Sequence, residues 1–284
     1  MQIFDVITWT VSPEIFSIGA FSLRWYPLMF ILGFMLDNKM MEVFYKRDGV
    51  NPERVYKLFI YCFVGTIVGA RLGHCLFYDP EFYLAHPLEI LKTWKGGLAS
   101  HGGTIGVVTA VMIYAKRDNL SLLWVLDRLG IAVAPMAAMI RLGNLFNHEI
   151  YGHATDVPWA FRFVENLPAW ERGAEPIFTA PSHPTQLYEA LCYLGVMCVL
   201  LFLYYKTEAS RRRGLLIGVF FLGVFGSRIL VECIKNNQEA FEEGMLLNMG
   251  QILSIPIVIA AIWLIVRALL RPASNNISGA LYKE

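Results

Sequence analysis

The chain has 284 residues, 56% of them hydrophobic and 17% charged, with a formal net charge of +1. An average soluble domain is about 45–50% apolar and about 25% charged, so this excess, gathered into long blocks, excludes an ordinary soluble domain. A near-neutral balance with no basic stripe excludes nucleic acid as a partner.

In chain order, Met1-Gln2-Ile3-Phe4-Asp5 lacks the basic start of a cleavable signal peptide, so the first apolar helix is expected to direct insertion itself. Apolar runs predict seven spanning helices near 19–44, 55–78, 98–115, 121–146, 184–205, 214–235 and 247–270. The expected fold class is an all-α polytopic membrane protein, with 1–284 as a single integral membrane domain. Segment one carries Asp37 and Lys39, charges expected to face the bundle or reach the surface. Residues 79–97 hold Pro80, Pro87 and the amphipathic run Leu88-Glu89-Ile90-Leu91-Lys92-Thr93-Trp94, expected to form an interfacial arm. Segment three is short and starts in Gly96-Gly97-Leu98-Ala99-Ser100-His101-Gly102-Gly103. Residues 148–183 carry Pro158, Pro168, Pro176 and Pro181 among scattered aromatics and predict a small irregular head.

Loop charges set the orientation. One set of loops holds Lys46, Arg47, Arg54, Lys57, Lys116, Arg117, Lys206 and Arg211 to Arg213, and the tail adds Arg267, Arg271 and Lys283. The opposite loops hold Arg24, Lys92, Lys95, Arg162, Arg172 and Lys235 among more numerous acids. The positive-inside rule then puts the C-terminus in the cytoplasm, with the N-terminus, arm and head outside. Cys62, Cys75, Cys192, Cys198 and Cys233 lie in or beside apolar blocks without paired spacing, which reads as small buried hydrophobes.

The polar groups that interrupt the apolar blocks are the candidate chemistry. At the end of segment four stands Arg141-Leu142-Gly143-Asn144-Leu145-Phe146-Asn147-His148-Glu149-Ile150-Tyr151-Gly152. A central Arg or Asp in hydrocarbon costs roughly 2.5–3.5 kcal/mol on insertion scales, so such a cluster points to a polar site inside a bundle. Arg141, Asn144 and His148 follow one helical face. Asp127 shares that face four turns earlier, where an ion pair with Arg128 is the plainer reading.

Segment six brings Arg228 and Glu232 at i, i+4, a pair that can satisfy itself. Two arginines on separate helices also suit a shared anion, because a planar guanidinium forks onto a phosphate through parallel charge-assisted bonds. His101 sits among small residues, where glycines let a ligand or another helix approach the backbone. A histidine titrates near neutrality and can serve as a base.

Several motifs fail. His148 and His153 are i, i+5, one residue too many for the zinc-protease H-E-x-x-H spacing. There is no G-x-S-x-G elbow and no aspartate cluster for Mg²⁺, so neither a metal site nor a cofactor is expected. No internal repeat supports an inverted-repeat transporter.

Together these residues resemble the prolipoprotein diacylglyceryl transferase family, whose pattern is approximately G-R-x-G-N-F-x-N-x-E-x-x-G. Here it runs from Ile140 to Gly152, departing at Ile140 and Leu145, both apolar exchanges. The resemblance also covers Leu23-Arg24-Trp25-Tyr26, Gly69-Ala70-Arg71-Leu72-Gly73, Trp94 to Gly103, His183-Pro184-Thr185-Gln186-Leu187-Tyr188-Glu189, Arg228 to Glu232 and Met249-Gly250-Gln251-Ile252-Leu253-Ser254.

The resemblance implies a fold of seven membrane helices with a small periplasmic head, in the bacterial inner membrane. It implies transfer of the diacylglyceryl group of phosphatidylglycerol to the lipobox cysteine of a prolipoprotein signal peptide, with release of glycerol 1-phosphate. Membrane lipids are the implied surroundings.

On that reading Arg141 and Arg228 hold the phosphate and its developing charge. His101 is the candidate base for the thiol, unless Arg141 lowers the thiol pKa instead. Glu149 and Glu232 would orient the arginines, Asn144 would bind the head group, and Gly102, Gly103 and Gly152 would line the substrate. Tyr26 is a donor to the phosphate or an interfacial anchor. Glu189 and Gln251 are supporting partners, and Arg71 and Asp127 are structural. Some relatives carry a tyrosine where this chain has Val224. The competing reading is a small transporter of an anionic solute or lipid.

Overall fold

The computed structural model describes residues 6–19, 21–237, 242 and 244–273. The helices are α1 (Trp25–Arg47), α2 (Glu53–Phe77), α3 (Pro80–Ala85), α4 (Pro87–Ile90), α5 (Ser100–Arg117), α6 (Leu122–Phe146), α7 (Leu167–Trp170), α8 (Thr185–Lys206), α9 (Leu215–Glu232) and α10 (Met249–Leu270). The strands are β1 (Ile7–Thr8), β2 (Glu14–Ile18), β3 (Phe21–Arg24) and β4 (Phe161–Arg162). Among the described residues α2, α6, α8, α9 and α10 are long and apolar enough to cross a membrane. The other two long helices, α1 and α5, are more polar: α1 carries Asp37, Lys39 and Glu42, and α5 opens on Ser100-His101-Gly102-Gly103.

The structure is mostly helical, as expected for a polytopic membrane protein, but not all-α. The first predicted segment, near 19–44, begins too early, because its leading residues supply β3, which pairs with β2 in a hairpin, Phe16 to Leu23 and Ile18 to Phe21. Apolar and polar residues alternate there, and Gly19 turns the chain at φ +62°. Period-two alternation suits a strand, while a bare count of apolar residues reads as helix.

The described residues divide into two compact units, the first within 40–126 and the second within 6–39 and 127–273. In the first unit α2 and α5 pack through glycines one turn apart. A Cβ at Gly65 would lie 2.6 Å from Gly106 O, one at Gly69 2.8 Å from Gly106 Cα, and one at Gly73 2.8 Å from Gly102 Cα. Small residues at this spacing let helix backbones meet closely where lipid supplies no hydrophobic drive. The same unit buries Trp124 and Tyr45, with Trp124 Nε1 donating to Asp48 at 3.1 Å and the Tyr45 and Tyr114 hydroxyls 3.2 Å apart. Arg71 is a clamp. Its guanidinium donates to the carbonyls of Glu89 at 2.6 Å, Ile90 at 2.8 Å, Gly96 at 2.5 Å and Gly97 at 3.1 Å. It thus ties the segment carrying α3, α4 and the 3₁₀ turn Thr93–Lys95 to α2. Leu84, Leu88, Leu91 and Trp94 stay exposed on that segment.

In the second unit α8, α9 and α10 pack in sequence. Asp127 is wholly buried and caps α9, accepting from Gly214 N at 2.8 Å and Ile217 N at 2.9 Å. Its buried neighbour Arg128 donates to Ser210 O at 3.1 Å and lies over Tyr204. Orphan N–H groups at a helix start thus receive a carboxylate from another helix. Asn248 caps α10 in a capping box with Gln251. β1 pairs with β4 in parallel, and Leu145, Phe161 and Phe163 form a small core with Trp9, Tyr151 and Leu187.

The outer faces of the long helices are apolar. Ile259, Ile262, Trp263 and Val266 are exposed on α10, a patch suited to lipid rather than water. For the same reason Cys192, Cys198 and Cys233 are exposed rather than buried, and all five cysteines are free.

Candidate active site

The polar cluster is built where α6 ends. The chain leaves the helix through His148 at φ +54° and Ile150 at φ +63°. The left-handed region costs an L-residue roughly 1–2 kcal/mol and is unusual for a β-branched one, so something must hold it. The N-terminal turn of α8 does so. Thr185 Oγ1 donates to Ile150 O at 2.7 Å and Gln186 Nε2 donates to Glu149 O at 2.5 Å, both side chains wholly buried.

His148 ties the same bend to Val11 and Val164. Its Nδ1 accepts from Val164 N at 3.0 Å, so the ring is neutral and its Nε2 donates to Val11 O at 3.0 Å. Burial holds its pKa below the ordinary histidine value.

From this bend the site residues are tied in sequence. Arg141 Nη1 donates to Asn144 Oδ1 at 3.2 Å, and Asn144 Nδ2 donates to Glu149 Oε1 at 2.8 Å. Asn147 Nδ2 supports the same carboxylate oxygen at 3.2 Å. Glu149 therefore reaches Arg141 through Asn144. The carboxylate directly on Arg141 is Glu189, with Oε2 3.0 Å from Nε. Tyr26 packs on Gly143 in the same stretch, where an added Cβ would fall 2.8 Å from its ring.

Arg228 and Glu232 form the i, i+4 pair on α9 at 3.5 Å. The other Glu232 oxygen accepts from Asn248 Nδ2 at 3.0 Å. Gly250 makes room for that carboxylate, since a Cβ there would lie 2.7 Å from its Cδ. Gln251 Nε2 donates to Ile229 O at 3.3 Å, binding α10 to α9.

Sequence reasoning assigned Lys235 to an outward loop as one of its scattered cations. The structure corrects this: Lys235 is 1% exposed, with Nζ 3.0 Å from Glu232 Oε1 and 3.6 Å from Glu189 Oε2. Tyr193, also buried, donates to Glu189 Oε1 at 3.3 Å and lies within hydrogen-bonding reach of Arg141. Neither had been singled out. The spacings Glu232–Lys235 (i, i+3) and Glu189–Tyr193 (i, i+4) were the available signal.

Gly152 is a wedge. Its N–H donates to His183 O at 2.9 Å and its carbonyl accepts from Asn236 Nδ2 at 3.0 Å, while an added Cβ would meet His183 Cβ at 2.9 Å. It carries the chain past the start of α8 and the turn that bears Lys235.

His101, Gly102 and Gly103 belong to the other unit, in the first turn of α5. Gly102 meets Gly69 and Gly73 of α2, and the His101 side chain is exposed.

The second unit thus offers two guanidiniums, 15% and 33% exposed, on a buried frame of carboxylates and an ammonium. Exposed planar donors above a fixed counter-charge suit an anion with several acceptor oxygens.

The sequence model of one protein family, described as prolipoprotein diacylglyceryl transferase, matches residues 13–267. Several relatives named phosphatidylglycerol–prolipoprotein diacylglyceryl transferase are similar over most of the chain. One from Porphyromonas gingivalis is 48% identical over 279 residues, 96% of this chain and 98% of the relative. One from Chloroherpeton thalassium is 42% identical over 266 residues, 93% and 95% of the two chains. One from Tolumonas auensis is 42% identical over 258 residues, 90% and 95%.

Proposed function

This chain belongs to the prolipoprotein diacylglyceryl transferase family, and on that premise we propose that it moves the diacylglyceryl group of phosphatidylglycerol to the lipobox cysteine thiol of a prolipoprotein signal peptide. It is a transferase of lipoprotein biosynthesis. Family membership over 13–267 favours this reading over a transporter of an anionic solute or lipid. The single observation that carries the residue assignment is the pair of partly exposed guanidiniums, Arg141 and Arg228, held by buried Glu189 and Glu232.

The chemistry is a displacement at carbon. The thiol loses its proton, its sulfur forms a C–S bond to the glyceryl carbon, and the C–O bond to the phosphate breaks with its electron pair. Glycerol 1-phosphate leaves with the added negative charge. Arg141 and Arg228 stabilise that charge as it develops, because fixed cations in a dry site need no reorganisation. An unperturbed thiol has a pKa of about 8.5, so the thiolate must be favoured. His101 is assigned as the base, and Arg141 supplies positive charge that favours the thiolate. Asn144, Glu149 and Tyr26 hold the head group beside Arg141, and Gln251 keeps α10 on α9. Gly102 and Gly103 seat α5 on α2 next to His101, and Gly152 seats the turn that bears Lys235.

The seven long helices among the described residues are assigned as the membrane spans of a bacterial inner-membrane protein. The N-terminus, the arm over 79–97 and the head over 148–183 face the periplasm, and the C-terminus faces the cytoplasm. Lysine and arginine crowd the opposite loops, which supports this direction.

The test is product formation. Purified protein is incubated with phosphatidylglycerol and a lipobox peptide, with a Cys→Ser peptide as control, and the peptide mass is read. A diacylglyceryl increment on the cysteine peptide alone is expected, and its absence refutes the activity. A His101→Asn arm read across about pH 6–9 tests the base, where an unchanged rate profile removes His101 from that role.

A further inference from the structure

Five charges in the second unit form one alternating chain: Arg141, Glu189, Lys235, Glu232, Arg228. The successive contacts are 3.0, 3.6, 3.0 and 3.5 Å. The two ends are partly exposed and the three groups between them are buried. The arginine side chains are 15% and 33% exposed, the carboxylates 0% and 5%, and Lys235 1%. The residues come from α6, α8, α9 and the turn beyond α9, so the chain of charges joins elements that are far apart in sequence.

An ammonium at that depth has no solvent to compensate it, and two carboxylates as deep as these repel each other unless a cation lies between them. Lys235 answers both requirements. It also shares each carboxylate with an arginine. Three cations against two carboxylates leave one positive charge in excess along the chain, with Glu149 held apart by Asn144 and Asn147. The exposed ends of that chain are the two guanidiniums.

We propose that Lys235 is a positioning residue for the lipid phosphate. Its ammonium bridges Glu189 and Glu232, couples the two arginines into one unit, and leaves them a net positive charge to place on the single negative charge of a phosphodiester. Without the ammonium each carboxylate neutralises its own arginine, and the excess charge at the exposed ends is lost. Lys235 acts through the two carboxylates and touches no reacting atom. This inference rests on the transferase reading and on the assignment of Arg141 and Arg228 to the phosphate.

The experiment compares Lys235→Arg, Lys235→Gln and Lys235→Met with the wild type, in mixed micelles where the mole fraction of phosphatidylglycerol is varied against a fixed lipobox peptide. Folding is checked by thermal unfolding in detergent, and either neutral variant alone suffices if the other fails to fold. The neutral variants are expected to raise KM for phosphatidylglycerol by about tenfold or more with a smaller change in kcat, the signature of lost anion binding. Lys235→Arg is expected to stay within about threefold of the wild-type KM, because the charge is kept. A folded neutral variant with the wild-type KM, or one that loses kcat at unchanged KM, overturns the proposal. No transfer by the wild-type protein refutes the transferase reading and this inference with it. Transfer by the wild type with an unaltered neutral variant removes only the role of Lys235.

Discussion

The carboxylate of Glu189 lies 3.0 Å from Nε of Arg141, and the carboxylate is wholly buried while the arginine is 15% exposed. The acid is therefore the fixed element and the guanidinium the presented one. α8 holds Glu189 by the same turn whose Thr185 and Gln186 grip the bend after α6, so arginine and carboxylate are set in one local structure.

Glu189→Gln is expected to disturb both folding and activity. The change leaves Lys235 with one carboxylate and removes the counter-charge of Arg141. Breaking a buried ion pair by removing one partner costs about 3–5 kcal/mol. Thermal unfolding in detergent should show a lowered midpoint, and lipid transfer by the folded fraction should fall as well. An unchanged midpoint contradicts the assigned role of Glu189.

Gly143→Ala is expected to act through Tyr26. The added methyl would sit 2.8 Å from the tyrosine ring, so the ring must move away from the Arg141–Asn144 stretch. Overpacking of this kind destabilises by about 1–3 kcal/mol. A loss of transfer larger than that seen in Tyr26→Phe, which keeps the ring and drops only the hydroxyl, is the expected result. Equal activity of Gly143→Ala and the wild type removes Tyr26 placement as a requirement.

Much of this was legible because hydrocarbon imposes strict rules on a chain. The long apolar blocks marked α2, α6, α8, α9 and α10, and the crowded polar groups from Arg141 to Glu149 stood out against them. What could not be read was partnership between distant elements. Arg141 and Glu189 are both visible in the sequence, yet nothing local says that α8 supplies the carboxylate on α6. Lys235 looked like a solvated loop cation because it lies past the last apolar residue of α9, and only the wedge at Gly152 shows how that turn is buried. Asp127 beside Arg128 suggested a neighbouring ion pair, and the structure adds that its carboxylate also caps the first N–H groups of α9, a partnership between distant elements. The strand just before α1 was read as the start of a helix because apolar content outweighed its two-residue alternation.

A pH effect on stability follows from His148. Its pKa is held below the ordinary value of 6.5, chiefly by burial, so the unfolded chain binds the proton more readily than the folded one. The contribution is fully present above the unfolded value and is lost as pH falls through the lower folded value, where the Val164 N–H loses its acceptor. The unfolding midpoint in detergent is expected to drop between about pH 7.5 and 5.5, with a smaller drop in His148→Gln, which is already less stable at the higher pH. Identical slopes in the two proteins contradict this origin.

Arg141, held by Glu189, is proposed to carry charge stabilisation for the departing glycerol phosphate. The most direct measurement is the rate of labelled diacylglyceryl transfer from phosphatidylglycerol to a lipobox peptide by folded Arg141→Gln beside the wild type, at saturating concentrations of both substrates. Loss of one preorganised donor of this kind lowers the rate by about 10²–10³-fold, and a fall of that size is predicted. A rate within about threefold of the wild type contradicts the account.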